Sequence, residues 1–252
     1  MIGIVGGIGA YAGTDLLNKV FDNTIVNRDQ DHLDTVLFSM PSGIEDRTEF
    51  LLGKVKINPA FAIAGVLLKL QNAGVTVAGV SCNTAHSDEI FNTVISELKS
   101  QNNSIKVLNM IEETVAFISN NYPEITKIGV LSTTGTYKFG VYKKPLSANG
   151  FDVIVPTIEM QEKLIHPAIY DPVYGIKSSS NPINPQAKED LMEGVSFLID
   201  NGAEAIILGC TEIPLAITEK SINGVIMIDP ANILARALIH SINPDKLKPL
   251  NI

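Results

Sequence analysis

The feature that most constrains this chain is that it repeats itself once. Leu70-Gln-Asn-Ala-Gly-Val-Thr-Val-Ala-Gly-Val-Ser-Cys82-Asn-Thr84 resembles Leu198-Ile-Asp-Asn-Gly-Ala-Glu-Ala-Ile-Ile-Leu-Gly-Cys210-Thr-Glu212. Leu70 and Leu198, Gly74 and Gly202, and Cys82 and Cys210 are all 128 positions apart. The opening Ile2-Gly3-Ile4-Val5 is echoed by Ile128-Gly129-Val130-Leu131, 126 positions on. Two copies are too few for a solenoid. They predict two similar halves with a pseudo-twofold relation and a cleft between them, and clefts between domains are favoured ligand sites.

Within each half, short apolar runs alternate with segments of helical period, the pattern of βα units around parallel sheets. Strands are expected at Ile2–Val5, Thr35–Phe38, Thr76–Ser81, Lys106–Asn109, Ile128–Leu131, Asp152–Val155, Ala205–Leu208 and Val225–Ile228. Helices are expected at Thr14–Asn27, Pro59–Asn72, Ser87–Lys99, Ile111–Asn120, Gly140–Ala148, Pro185–Asn201 and Ile233–His240. Most of the strands are continuously apolar, as they are when helices cover both sheet faces. The fold class is therefore α/β: two pseudo-symmetric doubly wound domains with mainly parallel sheets and the active site in the cleft between them. The first domain takes residues 1–112 and 218–252 and carries Cys82. The second takes 113–217 and carries Cys210.

A 45% hydrophobic fraction over 252 residues supplies a sizeable core. The formal net charge of −8 and the lack of a long basic run exclude nucleic acid as a partner. The same field does not attract an anionic ligand, so local cations and backbone N–H groups must hold one. Met1–Gly7 reads as a first strand rather than a signal segment. No stretch approaches the ~20 apolar residues that span a bilayer. No membrane partner and a cytoplasmic location follow as expectations. In a reducing compartment two cysteines do not make a structural disulfide; they are fillers or chemistry. No His/Cys/Asp cluster has zinc spacing, and no lysine context signals a pyridoxal Schiff base, so neither metal nor cofactor is expected.

Each cysteine follows a buried strand and precedes polar residues and a helix, and ligands of open α/β sheets bind at the carboxyl ends of the strands. A thiol near a helix N-terminus is expected to ionise readily. The N–H groups beyond it and the hydroxyls of Thr84 and Thr211 suit a carboxylate. Facing thiols also suit inversion at a carbon acid: one removes the proton as thiolate, the other returns it on the opposite face. The glycines at 3, 6, 7 and 9 do not complete a nucleotide loop, because position 12 is Ala. They read as a tight strand-to-helix turn whose N–H groups at Gly7 and Ile8 touch the substrate. His86, four residues beyond Cys82, either tunes the thiol or caps a helix. Glu212 either helps ionise Cys210 or orients a substrate ammonium, or simply sits well at a helix N-terminus.

Cys-Asn-Thr-Ala-His at 82–86 and Gly-Cys-Thr-Glu-Ile-Pro-Leu at 209–215 resemble the paired signatures of the aspartate/glutamate racemase superfamily. The opening Ile-Gly-Ile-Val-Gly-Gly, the Arg28–His32 segment and the Asp46-Arg47-Thr48 triplet resemble its aspartate racemase branch. The likeness runs from Ile2 to about Leu247. It implies racemisation without pyridoxal phosphate, an acidic amino acid as substrate, and a homodimer. By position it implies Cys82 and Cys210 as the catalytic pair. Asn83, Thr84 and Thr211 stand near the substrate α-carboxylate or amine, with a second carboxylate-holding turn at Ser132–Thr136 that includes Thr134 and Thr136. Arg47 matches the residue that recognises a side-chain carboxylate, a task that suits a bidentate guanidinium.

Two departures refine the likeness. Glutamate racemases carry Asp-Ser-Gly near the N-terminus and His after the second Cys-Thr, where this chain has Gly6-Gly7-Ile8 and Glu212. Aspartate racemases of archaeal type bring a lysine closer after Ile-Tyr than Lys177 stands here after Ile169-Tyr170. Asp171–Gln186 reads as a long loop, either a lid that carries Lys177 to the substrate or a floppy surface insertion. Other chemistries of the superfamily (hydantoin racemase, malonate decarboxylase, maleate isomerase) and a non-catalytic sensor of acidic amino acids stand as alternatives. A decarboxylase needs only one of the two cysteines.

Overall fold

The computed structural model describes residues 1–250. In chain order its elements are β1 (Ile2–Gly6), α1 (Ala10–Asn23), β2 (Thr35–Ser39), α2 (Arg47–Leu51), α3 (Ala60–Asn72), β3 (Val77–Val80), α4 (Asp88–Ser100), β4 (Lys106–Leu108) and α5 (Met110–Asn121). There follow β5 (Lys127–Ser132), α6 (Thr134–Phe139), α7 (Lys143–Ala148), β6 (Asp152–Ile154), α8 (Ile158–Met160), α9 (His166–Tyr170) and α10 (Pro185–Asp200). The chain closes with β7 (Ala205–Gly209), α11 (Ile213–Ala216), β8 (Ser221–Ile222), β9 (Val225–Ile228) and α12 (Pro230–Ile242).

Two sheets result, and the internal repeat relates them. The first has the order β2-β1-β3-β4, the second β6-β5-β7-β9-β8. All pairings are parallel except that of β8 with β9. The central pairs keep the same register: Gly3 faces Ala78 across β1–β3, and their repeat partners Gly129 and Ile206 face each other across β5–β7. The repeated glycines have repeated neighbours. A Cβ on Gly3 would lie 2.6 Å from Val75 and 3.2 Å from Leu70; on Gly129 it would lie 3.1 Å from Ala203 and 3.2 Å from Leu198. Each helix-to-strand turn thus closes directly onto a central strand. Gly74 and Gly202 turn the chain there in the left-handed region, each at φ 90°, where a side chain is strained.

Helices cover both faces of each sheet, which is why the strands are apolar throughout; β1, β3 and β7 are buried at every residue. Full burial of each such Val, Leu or Ile contributes about 1.5–3 kcal/mol. Within residues 218–252, β8 and β9 hydrogen-bond into the second sheet, while α12 packs against α1, α5 and β3. The sequence reading gave that whole segment to the first half.

Several elements differ from expectation. The first helix begins at Ala10 rather than Thr14, directly after the glycine turn, and stops at Asn23, where Thr24 pairs with Leu247. The helix expected over Gly140–Ala148 begins only at Lys143, because Gly140 takes a left-handed φ of 65° and caps the unexpected α6 before it. α2 went unread: the carboxylate of Asp46 caps it by accepting from the N–H of Glu49. The segment 158–170 also went unread, since Pro167 looks like a breaker. It is nearly continuous helix with a π turn at Gln161–Ile165, and Pro167 follows directly on that turn at the start of α9. The loop expected at Asp171–Gln186 runs as turns and a Ser180–Ile183 bridge as far as Asn184, the cap of α10. Among the described residues no helix is long and apolar enough to cross a membrane, and no group of His, Cys, Asp or Glu is placed to hold a metal ion.

Candidate active site

The four central strands deliver four turns to one region between the sheets. β1 ends in Gly6-Gly7-Ile8-Gly9, β3 in Ser81-Cys82-Asn83-Thr84, β5 in Ser132–Thr136 and β7 in Cys210-Thr211-Glu212. Ser81 ties its turn to the first strand by donating to the carbonyl of Val5 at 2.9 Å. The halves are joined where Thr211 Oγ1 meets the carbonyl of Ser81 at 3.4 Å. Thr84 Oγ1 adds a second join, lying 3.1 Å from Thr133 Oγ1 and 3.0 Å from Thr136 Oγ1. A third runs from the Tyr142 hydroxyl to Asn83 Oδ1, and a fourth from the Tyr170 hydroxyl to Asp46 Oδ2 at 3.2 Å and Thr48 Oγ1 at 3.3 Å. These contacts hold the cleft closed over two free thiols, Cys82 at 6% exposure and Cys210 at 5%.

The cysteines, equivalent in the repeat, have opposite charges beside them. Cys82 faces the buried guanidinium of Arg47. Burial disfavours that cation, but the charges of Cys82, Asp46 and Tyr170 outweigh burial and hold Arg47 protonated above its ordinary range. Cys210 Sγ donates to Glu212 Oε2 at 2.9 Å. Burial, and then the Glu212 charge, push this thiol well above the ordinary range. The sequence led us to expect the reverse, an easily formed thiolate at a helix N-terminus. The helix beyond Cys210 has only four residues, and burial beside a carboxylate overrides its weak dipole.

Glu212 also accepts from Thr211 Oγ1 at 3.2 Å, while its Oε1 accepts from Lys177 Nζ at 2.7 Å. Burial alone would raise the pKa of this carboxyl, but the Lys177 charge and the hydrogen bonds bring it below the usual carboxylate range. Lys177 in turn lies 5.2 Å from the centre of the Tyr170 ring. Burial opposes its charge, yet Glu212 keeps it protonated above the usual lysine range. The long loop therefore does bring Lys177 into the site, onto Glu212. Gly9 makes room for this pair: a Cβ there would lie 2.3 Å from Glu212 Oε1.

The other expected residues are placed as follows. Gly7 turns the chain at φ 82° against the backbone of Met40 and Pro41. Arg47 NH2 donates to the carbonyl of Ile8 at 2.7 Å and NH1 to that of Glu45 at 3.0 Å. The fork expected on a carboxylate thus has one hydrogen of each terminal nitrogen already engaged, and Nε remains unpaired. His86 reaches the backbone of the first cysteine instead of its thiol, with Nδ1 2.8 Å from the Cys82 carbonyl, and its ring stacks on Phe91. Burial depresses its pKa to about 4, so the ring is neutral. Thr134 Oγ1 accepts from Gln161 Nε2 at 3.4 Å.

Unpaired polar atoms concentrate here. Arg47 Nε, Asn83 Nδ2, His86 Nε2, Ser87 Oγ and Gln161 Oε1 are buried without a partner, against the general rule for buried polar groups. Arg47 and Asn83 present donors and Gln161 an acceptor, a mixed set that fits a ligand carrying both anionic and N–H groups. Sequence reasoning missed Tyr142, Tyr170, Gln161 and Gly9. Tyr170 and Gly9 lay inside quoted motifs; Gln161, alone in an unassigned segment, gave no signal.

The model of the Asp/Glu/hydantoin racemase family matches residues 5–238. Over 243 residues the chain is 26% identical to the broad specificity amino-acid racemase RacX of Bacillus subtilis, covering 95% of this chain and 96% of that protein. The aspartate racemase of Picrophilus torridus superposes with a TM-score of 0.78 at 29% identity, covering 95% of this chain and 93% of that one. A glutamate racemase of Francisella tularensis, solved with D-glutamate, shares the fold at a TM-score of 0.62 and 19% identity, covering 100% of this chain and 84% of that one.

Proposed function

The chain belongs to the Asp/Glu/hydantoin racemase family, and from that premise we propose that it interconverts the L- and D-forms of aspartate, glutamate or both, without pyridoxal phosphate, using Cys82 and Cys210 as the two bases. The observation that carries this reading is the pair of free, buried thiols at repeat-equivalent strand ends, one beside Arg47 and the other hydrogen-bonded to Glu212.

In this reading the two faces of the substrate are served differently. Cys82, beside a fixed cation, acts as thiolate and removes the Cα proton from its face, while Cys210, held as a thiol, donates its proton from the opposite face. The reverse direction starts from the state this leaves, Cys82 a thiol and Cys210 a thiolate: Cys210 removes the Cα proton and Cys82 donates its own. Between turnovers Glu212, 2.9 Å away, takes the proton of the Cys210 thiol while Cys82 is reprotonated from solvent. Lys177 offsets the negative charge of Glu212 and holds that carboxylate in place. Arg47 and Asn83 turn their unpaired N–H groups to the substrate carboxylates, with the hydroxyls of Thr84, Thr134, Thr136 and Thr211 around them. Arg47 favours a substrate with a second carboxylate. The closed cleft excludes water, which strengthens each of these interactions and protects the carbanionic intermediate from solvent protons.

The breadth of substrate is the one point on which a second reading is favoured. The likeness to RacX, whose name records broad specificity, supports activity beyond the acidic amino acids. Chiral chromatography of L-aspartate, L-glutamate and L-alanine incubated with protein pretreated with hydroxylamine tests both readings. Racemisation of the acidic pair that survives the pretreatment, and is abolished by Cys82→Ser and by Cys210→Ser, is expected. Alanine racemised as fast would favour the broader reading. An unaltered rate in either serine variant would refute the two-base proposal.

A further inference from the structure

We infer that Gln161 is the acceptor for the α-ammonium group of the substrate; this rests on the racemase reading above. Gln161 is fully buried and stands at the head of the π turn in the 158–170 helix, a local widening often found at functional sites. Its Nε2 donates to the carbonyl of Ser132 at 3.0 Å and to Thr134 Oγ1 at 3.4 Å, both in the turn that ends β5. A carbonyl only accepts, so the amide nitrogen must face Ser132, which fixes the orientation of the amide. The oxygen that this leaves over, Oε1, is buried with no donor. An acceptor left unmatched in this way costs the desolvation of that oxygen unless a ligand supplies the missing N–H.

The other polar groups of the site are donors or are already engaged, Asp46 included, whose oxygens accept from the Tyr170 hydroxyl and the N–H of Glu49. Arg47 and Asn83 offer N–H groups, which suit carboxylates. Both oxygens of Glu212 are taken, Oε1 by Lys177 and Oε2 by Cys210 and Thr211. The hydroxyls of Thr84, Thr133 and Thr136 bond one another. The unpaired amide oxygen of Gln161 is thus the acceptor left for a cationic amine. It is also neutral, so it accepts without adding a further negative charge to a site that already holds Glu212 and must form a thiolate.

The test compares two diacids: α-methylaspartate, which lacks a Cα proton and so cannot be racemised, and methylsuccinate, which has the same carbon skeleton without the amine. Titration calorimetry gives both affinities for the wild-type chain and for Gln161→Leu and Gln161→Met, with thermal melting as the check on folding. The wild type is expected to prefer the amine by about 10-fold, the scale of one hydrogen bond to a charged group. In both variants the preference is expected to fall to about threefold or less, with methylsuccinate affinity nearly unchanged. A preference that survives in the variants, or equal losses for both ligands, overturns the inference and leaves the racemase reading standing. A wild type that binds neither diacid overturns both.

Discussion

Cys210 and Glu212 form one acid–base unit: the thiol Sγ lies 2.9 Å from the carboxylate Oε2, and the other carboxylate oxygen lies 2.7 Å from Lys177 Nζ. The place equivalent to Glu212 in the first half is taken by Thr84, and Cys82 faces Arg47. The repeat duplicates the thiols but not their surroundings, and most of what can be tested follows from that asymmetry.

Glu212→Gln removes the negative charge that, after burial itself, does most to hold the Cys210 thiol protonated. Alkylation of Cys210 by iodoacetamide, followed by peptide mass spectrometry across pH, is therefore expected to begin at lower pH in the variant, while Cys82 is labelled as before. Turnover is expected to fall about 10²-fold or more, the usual contribution of a positioned proton acceptor, because Glu212 no longer takes the Cys210 proton. An onset that stays put or moves to higher pH would show that Glu212 does not control the thiol.

Lys177→Met leaves the Glu212 carboxylate buried without its cation. Breaking a buried pair costs about 3–5 kcal/mol. The 22% exposure of the lysine side chain reduces this to about 2–3 kcal/mol at neutral pH. The sign with pH follows from Glu212, whose pKa in the fold lies below the ordinary value of 4.5. Its contribution is present above that value and is lost as pH falls through the folded pKa. Urea melts of both proteins between pH 7 and pH 3 are expected to show a stability gap that narrows as the pH falls. A gap that is constant or widens toward acid would contradict the pairing.

Gly9→Ala tests whether the placement of Glu212 matters apart from its charge. The new Cβ would lie 2.3 Å from Glu212 Oε1 and 3.1 Å from Ala12 Cβ. The carboxylate must move away from Cys210 or Lys177. Activity is expected to drop more than about 10-fold, with a stability loss of about 1–2 kcal/mol from overpacking. Gly43→Ala, with nothing within 4 Å of its Cβ, is the control expected to leave both unchanged. Equal activities for the two variants would show that the Cys210–Glu212 contact is dispensable.

The sequence made the doubled architecture readable because the repeat lies in parts that burial constrains tightly. Gly3 and Gly129 meet repeat-related side chains, and Gly74 and Gly202 take the same left-handed turn, so neither pair tolerates drift. The cysteines and threonines were legible for the same reason, since they stand at the ends of those strands. What escaped was set by long-range contact. Gln161 shows its role only once the helix carrying it packs on the β5 turn, and Tyr142 and Tyr170 only once one half meets the other. The expected pKa of Cys210 was wrong because burial and the Glu212 charge, a group read from sequence as an aid to ionisation, both hold the thiol protonated, and no spacing rule supplies the direction of that carboxylate. Lys177 reached the site despite its longer spacing, because backbone bonds from Ile176 to Ala168 and from Lys177 to Ile169 fold the loop back on its own helix.

The most direct measurement of the central claim is proton NMR of L-aspartate and L-glutamate, each incubated in D2O with reduced, folded protein free of added metal and pyridoxal phosphate. Two thiols working on opposite faces predict that the Cα–H signal disappears while the D-enantiomer accumulates with deuterium at Cα. A Cα–H signal that persists for both substrates, with Cys82 and Cys210 confirmed as free thiols, would contradict the account.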